Sequence, residues 1–157
     1  MRLLFIVPLL LGTLFQLTAQ QSLNPWSAVD PADVSVELLS NQTIPAAYKP
    51  YRLDYISLEK ALQAAPLEFT GAGEALEISL PQADGSLRVF RLWASPLMAP
   101  ELAAKYPEIK TYAGAAIDGS GQLVRLGIGP KGFHSFIFGS DGQIQSIQPL
   151  ENGAKNI

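Results

Sequence analysis

Three Asp-Gly pairs, Asp84-Gly85, Asp118-Gly119 and Asp141-Gly142, constrain the fold of this chain more than any other feature, because apolar residues alternate on either side of them. Glycine supplies the positive φ a tight turn needs, and aspartate folds its carboxylate onto its own backbone, so Asp-Gly between alternating runs signals a hairpin. Ahead of the first pair, Leu76, Ile78 and Leu80 share one face while Glu77 and Ser79 share the other, and residues 87–93 return as the partner strand. Further strands are expected over residues 109–117, 122–128, 132–138 and 143–147. The pairs lie 34 and 23 residues apart, which marks a meander and not a repeat array. Upstream, residues 51–56 alternate as a half-buried strand. Ser57 then reads as a helix N-cap, with Glu59 in the first turn. Leu58, Ala61, Leu62 and Ala65 follow at helical spacing until Pro66. Pro100 suits the first turn of a second helix over residues 101–105, closed by Pro107. The predicted class is α+β, mainly β: a twisted antiparallel sheet meander with two short helices.

The first 19 residues read as a secretory signal peptide, with Arg2 as the positive start, an apolar run to Leu17 and Ala19 at the cut. Gln16, Gln20 and Gln21 interrupt that run before it reaches the roughly 20 apolar residues of a membrane span. The expected organisation is a signal peptide at 1–19, an extended leader at 20–47 with one short strand at 34–39, a β-rich domain at 48–150 and a polar tail at 151–157. The exported chain would be secreted, or held in the periplasm or cell envelope. Its formal charge of −3, or −4 once Arg2 leaves with the signal, and its lack of a basic block argue against nucleic acid or an anionic membrane as partner. The absence of cysteine removes disulfides, thiol nucleophiles and thiolate metal sites.

Little in the chain points to catalysis. Residues 127–132 satisfy G-x-G-x-x-G, but a dinucleotide site needs that pattern to open a helix, whereas here Pro130 leads into GFHSFIF, which reads as a strand. His134 is the single histidine; on a strand it shares a face with Phe136 and Phe138, while Ser135 points the other way. A general base needs a nucleophile and an orienting acid within reach, and His134 has neither at a diagnostic spacing. There is no H-E-x-x-H and no G-x-x-x-x-G-K-[ST]. Neither a cofactor nor a resident metal is expected, nor any enzymatic activity.

The run VFRLWASPLMAPELAAKYPEIKTYAG at residues 89–114, with Gly132-Phe133-His134 further on, resembles the N-terminal propeptide region of secreted bacterial reprolysin-like zinc metalloproteases, which are metzincins. In those precursors a similar run precedes the protease domain, and the likeness here spans about residues 51–149. Within the run the matched positions are Trp93, Pro96, Met98, Pro100, Glu101, Lys105, Tyr106, Pro107, Thr111, Tyr112 and Gly114. Gly132, Phe133 and His134 complete the set. The resemblance implies a non-catalytic domain that assists folding of a protease and keeps it latent until removed. Its partner would be a zinc metalloprotease catalytic domain, in cis if the chain is a truncated precursor and in trans otherwise. Lacking the cysteine that some related propeptides place on zinc, this chain would impose latency sterically or through another ligand, with His134 and Asp118 the side chains to test. The competing expectation is a stand-alone exported β-rich module for binding or adhesion.

Overall fold

Alternation becomes a curled sheet in the computed structural model, which describes residues 22–34, 47–71 and 73–150. Strands β3 (Leu76–Pro81), β4 (Leu87–Ala94), β5 (Lys110–Ala116), β6 (Leu123–Gly129), β7 (Gly132–Phe138) and β8 (Ile144–Ile147) pair antiparallel in chain order. Together they form a half-barrel, and the expected mainly β class holds. A two-stranded sheet of β1 (Trp26–Ala28) and β2 (Tyr51–Leu53) lies outside that order. Helix α1 (Tyr55–Leu62) follows β2, and α2 (Pro100–Lys105) interrupts the passage from β4 to β5. The signal peptide, the polar tail and residues 35–39 of the expected leader strand lie outside the described residues. Among the described residues no helix is long and apolar enough to cross a membrane.

Strand register decides what is inside. Leu92, Gly114, Val124 and Ile137 stand in one inward cross-strand row, and Tyr112, Leu126 and Ser135 in the next. Tyr55, Leu58 and Leu62 of α1 join that cluster, each buried. Their spacing of three and four puts all three on one helical stripe, and full burial of a side chain such as Leu58 stabilises by about 1.5–3 kcal/mol.

The start of α1 departs from the sequence expectation in three ways. The strand at 51–56 stops at Leu53, and the helix is capped by Asp54 instead of Ser57. The Asp54 carboxylate accepts the Ser57 N–H at 3.1 Å and the Ser57 hydroxyl at 2.6 Å, so a cap earlier in the chain takes the first-turn donors. Tyr55 therefore reaches the core from a helix, and Glu59 sits beyond the first turn.

The N-terminal segment is woven into the same structure. Leu23 bridges Ile78 in parallel, with its N–H on the Glu77 carbonyl at 3.1 Å and its own carbonyl accepting from Ser79 at 2.8 Å. The Trp26 indole meets Phe133 edge-on at 5.3 Å and Tyr51 at 6.5 Å. The packed unit thus draws on residues that the sequence reading assigned to the leader. Across the opening of the half-barrel, Gln145 Oε1 accepts the Ala83 N–H at 2.8 Å and Gln145 Nε2 donates to Gln82 Oε1 at 3.2 Å. The last strand is thereby tied to the first hairpin.

All three Asp-Gly pairs are turns of one kind. Asp84, Asp118 and Asp141 each accept the N–H two residues ahead, at 2.8, 3.0 and 3.0 Å. Their glycines all take positive φ. The Ser86 and Ser120 hydroxyls, and then the N–H groups of the same residues, hold the Asp84 and Asp118 carboxyls below the ordinary carboxylate value. Ser57 does the same for Asp54. A depressed carboxyl contributes its stability in full above the ordinary value of about 4 and loses it as pH falls through the lowered value. The urea midpoint is therefore expected to drop on acidification from about pH 5 to about pH 3. A variant with Asp54, Asp84 and Asp118 all changed to Asn should start less stable and drop less; an equal drop would contradict the assignment.

Candidate partner-binding site

Between β4 and β5 the chain makes a proline-braced excursion over residues 95–109. Pro100 starts α2, where its missing N–H costs nothing, and Ala99 accepts from Leu102 at 3.0 Å and Ala103 at 2.9 Å. Tyr106 closes the helix onto Leu102 at 3.1 Å. The feet of the excursion are pinned to one another: the Ser95 N–H donates to the Thr111 carbonyl at 2.9 Å and the Thr111 hydroxyl to the Ser95 carbonyl at 2.6 Å. Arg125 Nη1 adds a bond to Ser95 Oγ at 2.9 Å. A fixed base thus carries a helix that buries none of its own residues. Leu97, 75 % exposed, stands out from it with Leu102, Tyr106 and Ile109.

A second loop rises beside this one. Glu68 donates its N–H to the Ala94 carbonyl at 2.8 Å, and Ala94 donates to Pro66 at 2.7 Å, which roots residues 66–68 on the end of β4. The Glu68 carboxylate lies 3.8 Å from Arg125 Nη1, the side chain that also holds Ser95. Beyond it Phe69 is 95 % exposed and sits at φ +65, the left-handed region that costs an L-residue roughly 1–2 kcal/mol. An aromatic ring has thus been placed in water on unfavourable backbone, with no burial in return. Replacing Phe69 by Gly is expected to raise stability by about 0.5–1 kcal/mol in urea unfolding, glycine's own entropic cost offsetting part of the relief.

The matched residues divide among three environments. Pro96, Pro100, Glu101, Lys105, Tyr106 and Pro107 are exposed on the excursion, with Met98 half-buried among them. Trp93, Thr111 and His134 are half-buried on the outer face of the sheet at the same end, His134 hydrogen-bonded through Nε2 to the Lys131 carbonyl at 3.2 Å. Since a carbonyl only accepts, Nε2 carries the proton. Tyr112 and Phe133 point inward and are core. Gly114 also faces inward, and Gly132, at φ +90, closes the two-residue Pro130-Lys131 hairpin that the G-x-G-x-x-G pattern encodes. The run is therefore part surface and part scaffold. Leu97, Leu102, Ile109, Phe69, Ser95 and Arg125 belong to the same region, although no motif points to them.

Electrostatics at this end are mild. Burial, and next the Glu59 carboxylate, push the Tyr55 and Tyr112 hydroxyls above the ordinary phenol value, which keeps both neutral. His134 and Asp118 stand at opposite ends of the sheet, and Asp118 is paired with Arg88 at 2.7 Å, so the two cannot share one ion. Among the described residues no group of three or more His, Cys, Asp or Glu side chains is gathered for a metal. Comparison with known protein families, with curated proteins and with solved structures finds no match.

Proposed function

We propose that this chain is a non-catalytic, propeptide-type domain that binds the catalytic domain of a secreted zinc metalloprotease through the excursion at residues 95–109 and the neighbouring Phe69 loop. The observation that carries the reading is the rigidly rooted, unburied α2 segment, whose apolar side chains face solvent within the run that resembles such propeptides. Interface centres favour aromatic and Met side chains over charged ones, and Tyr106, Phe69 and Met98 fit that preference. Binding of this kind assists folding by masking an apolar cleft and imposes latency by excluding substrate. No ligand to zinc is required. The domain would act on a protease joined to it or on a separate one, after export.

The test titrates the purified chain into the catalytic domain of a secreted reprolysin-like metalloprotease and follows peptide hydrolysis. Inhibition in the micromolar range is expected, weakened about tenfold or more in a Tyr106→Ala, Leu102→Ala double variant, equivalent to about 1.4 kcal/mol. No inhibition at such concentrations would count against the proposal. Glycan-array binding without any effect on the protease would favour the exported binding or adhesion module instead.

A further inference from the structure

Arg125 projects from β6 on the outer face and meets both loops of the proposed binding end. Its Nη1 donates to Ser95 Oγ at 2.9 Å, at the foot of the excursion, and lies 3.8 Å from Glu68 Oε2, at the root of the Phe69 loop. To reach them the side chain must cross β5. Ala113 stands directly opposite Arg125 on that strand, and Trp93 stands opposite Ala113 on β4. Ala113 faces outward and yet is only 5 % exposed, as a methyl group beneath a crossing side chain must be.

The two loops need this contact unequally. The excursion is already fixed at its feet by the paired Ser95–Thr111 bonds at 2.9 and 2.6 Å. The Phe69 loop is rooted at Pro66 and Glu68 through backbone bonds with Ala94 at 2.7 and 2.8 Å, and Thr70 Oγ1 donates to the Leu67 carbonyl at 2.9 Å. From there it turns out into solvent, with Phe69 at φ +65 and Gly71 at φ +63. A left-handed conformation at a non-glycine residue persists only where its surroundings over-determine it. Glu68, next to the strained residue, has its carboxylate largely covered and set against the Arg125 guanidinium. An ion pair with a half-exposed partner adds little stability, so its main effect is on position.

We infer that Arg125 is a positioning residue for partner binding: it holds the Phe69 loop against the foot of the excursion, so that the Phe69 ring and α2 meet the partner as one preorganised surface. The inference rests on the protease-binding role proposed above. Holding the loop in place before the encounter spares the ordering cost that association otherwise carries. Because the excursion has its own Ser95–Thr111 bonds, Arg125 acts through Glu68 on the ring.

Protease inhibition and amide exchange of the free chain, measured on the same variants, test this. Arg125→Gln and Glu68→Gln should each weaken inhibition about fivefold or more, and the pair together about as much as either alone. Arg91→Gln makes the same charge change on β4, where the guanidinium pairs with Glu77 at 2.9 Å, and should leave inhibition unaltered. In a Phe69→Gly background, Arg125→Gln should weaken inhibition by less than about twofold, since the ring it positions is gone. In the free chain, Arg125→Gln should speed exchange at Glu68 and Ala94, while the slowest core amides and the thermal midpoint stay near their wild-type values. Fully additive losses from Arg125→Gln and Phe69→Gly overturn the inference and leave the binding surface standing. Unchanged exchange at Glu68 and Ala94 overturns it too. A wild-type chain that fails to inhibit, with exchange still dependent on Arg125, instead rejects the protease as partner and keeps the coupling of the two loops.

Discussion

Replacement of Trp26 by Ala is expected to destabilise the protein by about 3–5 kcal/mol, the usual cost of deleting a large buried aromatic. In a domain of this size that lowers the melting temperature by roughly 10–15 °C. The indole is buried and packs edge-on against Phe133 of β7 and against Tyr51 of β2, so its removal opens a cavity between the small sheet and the half-barrel. Trp26→Phe should cost much less. Among the described residues the indole Nε1 has no acceptor, and a phenyl ring removes that unpaired donor while keeping most of the apolar volume. Thermal and urea unfolding of both variants provides the check. A Trp26→Ala protein as stable as the wild type would mean that β1 is not part of the core.

This prediction turns on the region where sequence was least informative. The β3–β8 meander was legible because its signals are local: Asp-Gly turns satisfy themselves within three residues, and the period-two alternation of Leu76, Ile78 and Leu80 fixes which face is inside. The N-terminal pairing carries no such period. Leu23 contributes a single bridge to Ile78 and Trp26 a single ring to Phe133, contacts more than 50 residues apart that no window along the chain can register. The α1 cap failed for a different reason. Asp54 and Ser57 are both good cap residues, and Tyr55 fits a strand alternation as well as a helical stripe, so local rules alone did not choose between them.

The candidate site was legible only in part. Proline spacing exposed the excursion and its short helix, but a motif read as a string does not separate side chains that face a partner from those that hold the fold. Tyr112 and Phe133 lie in the core, and His134 is bonded back onto its own turn. Phe69 carried no signal at all, because a left-handed φ at a non-glycine residue is set by the anchoring of Pro66 and Glu68 to Ala94 and not by the identity of the residue.

Gly114 gives the clearest way to separate scaffold from surface within that run. An alanine Cβ there would stand 2.5 Å from Leu92 Cδ2, 2.6 Å from the Arg91 carbonyl oxygen and 3.1 Å from Val124 Cγ1. Leu92 is fully buried and has no room to turn aside, and the Arg91 carbonyl belongs to the β4–β5 ladder. Gly114→Ala should therefore cost about 3 kcal/mol, and Gly114→Val more, at the upper end of what overpacking does. Gly119→Ala is the matched control: nothing lies within 4 Å of its Cβ, so it bears only the strain of φ +78, roughly 1–2 kcal/mol. Adding Leu92→Ala to Gly114→Ala removes the side-chain clash but leaves the carbonyl contact. The double variant should accordingly lose less than the sum of the single losses while staying below Leu92→Ala alone. Strict additivity in urea unfolding would instead assign the whole penalty to the backbone contact.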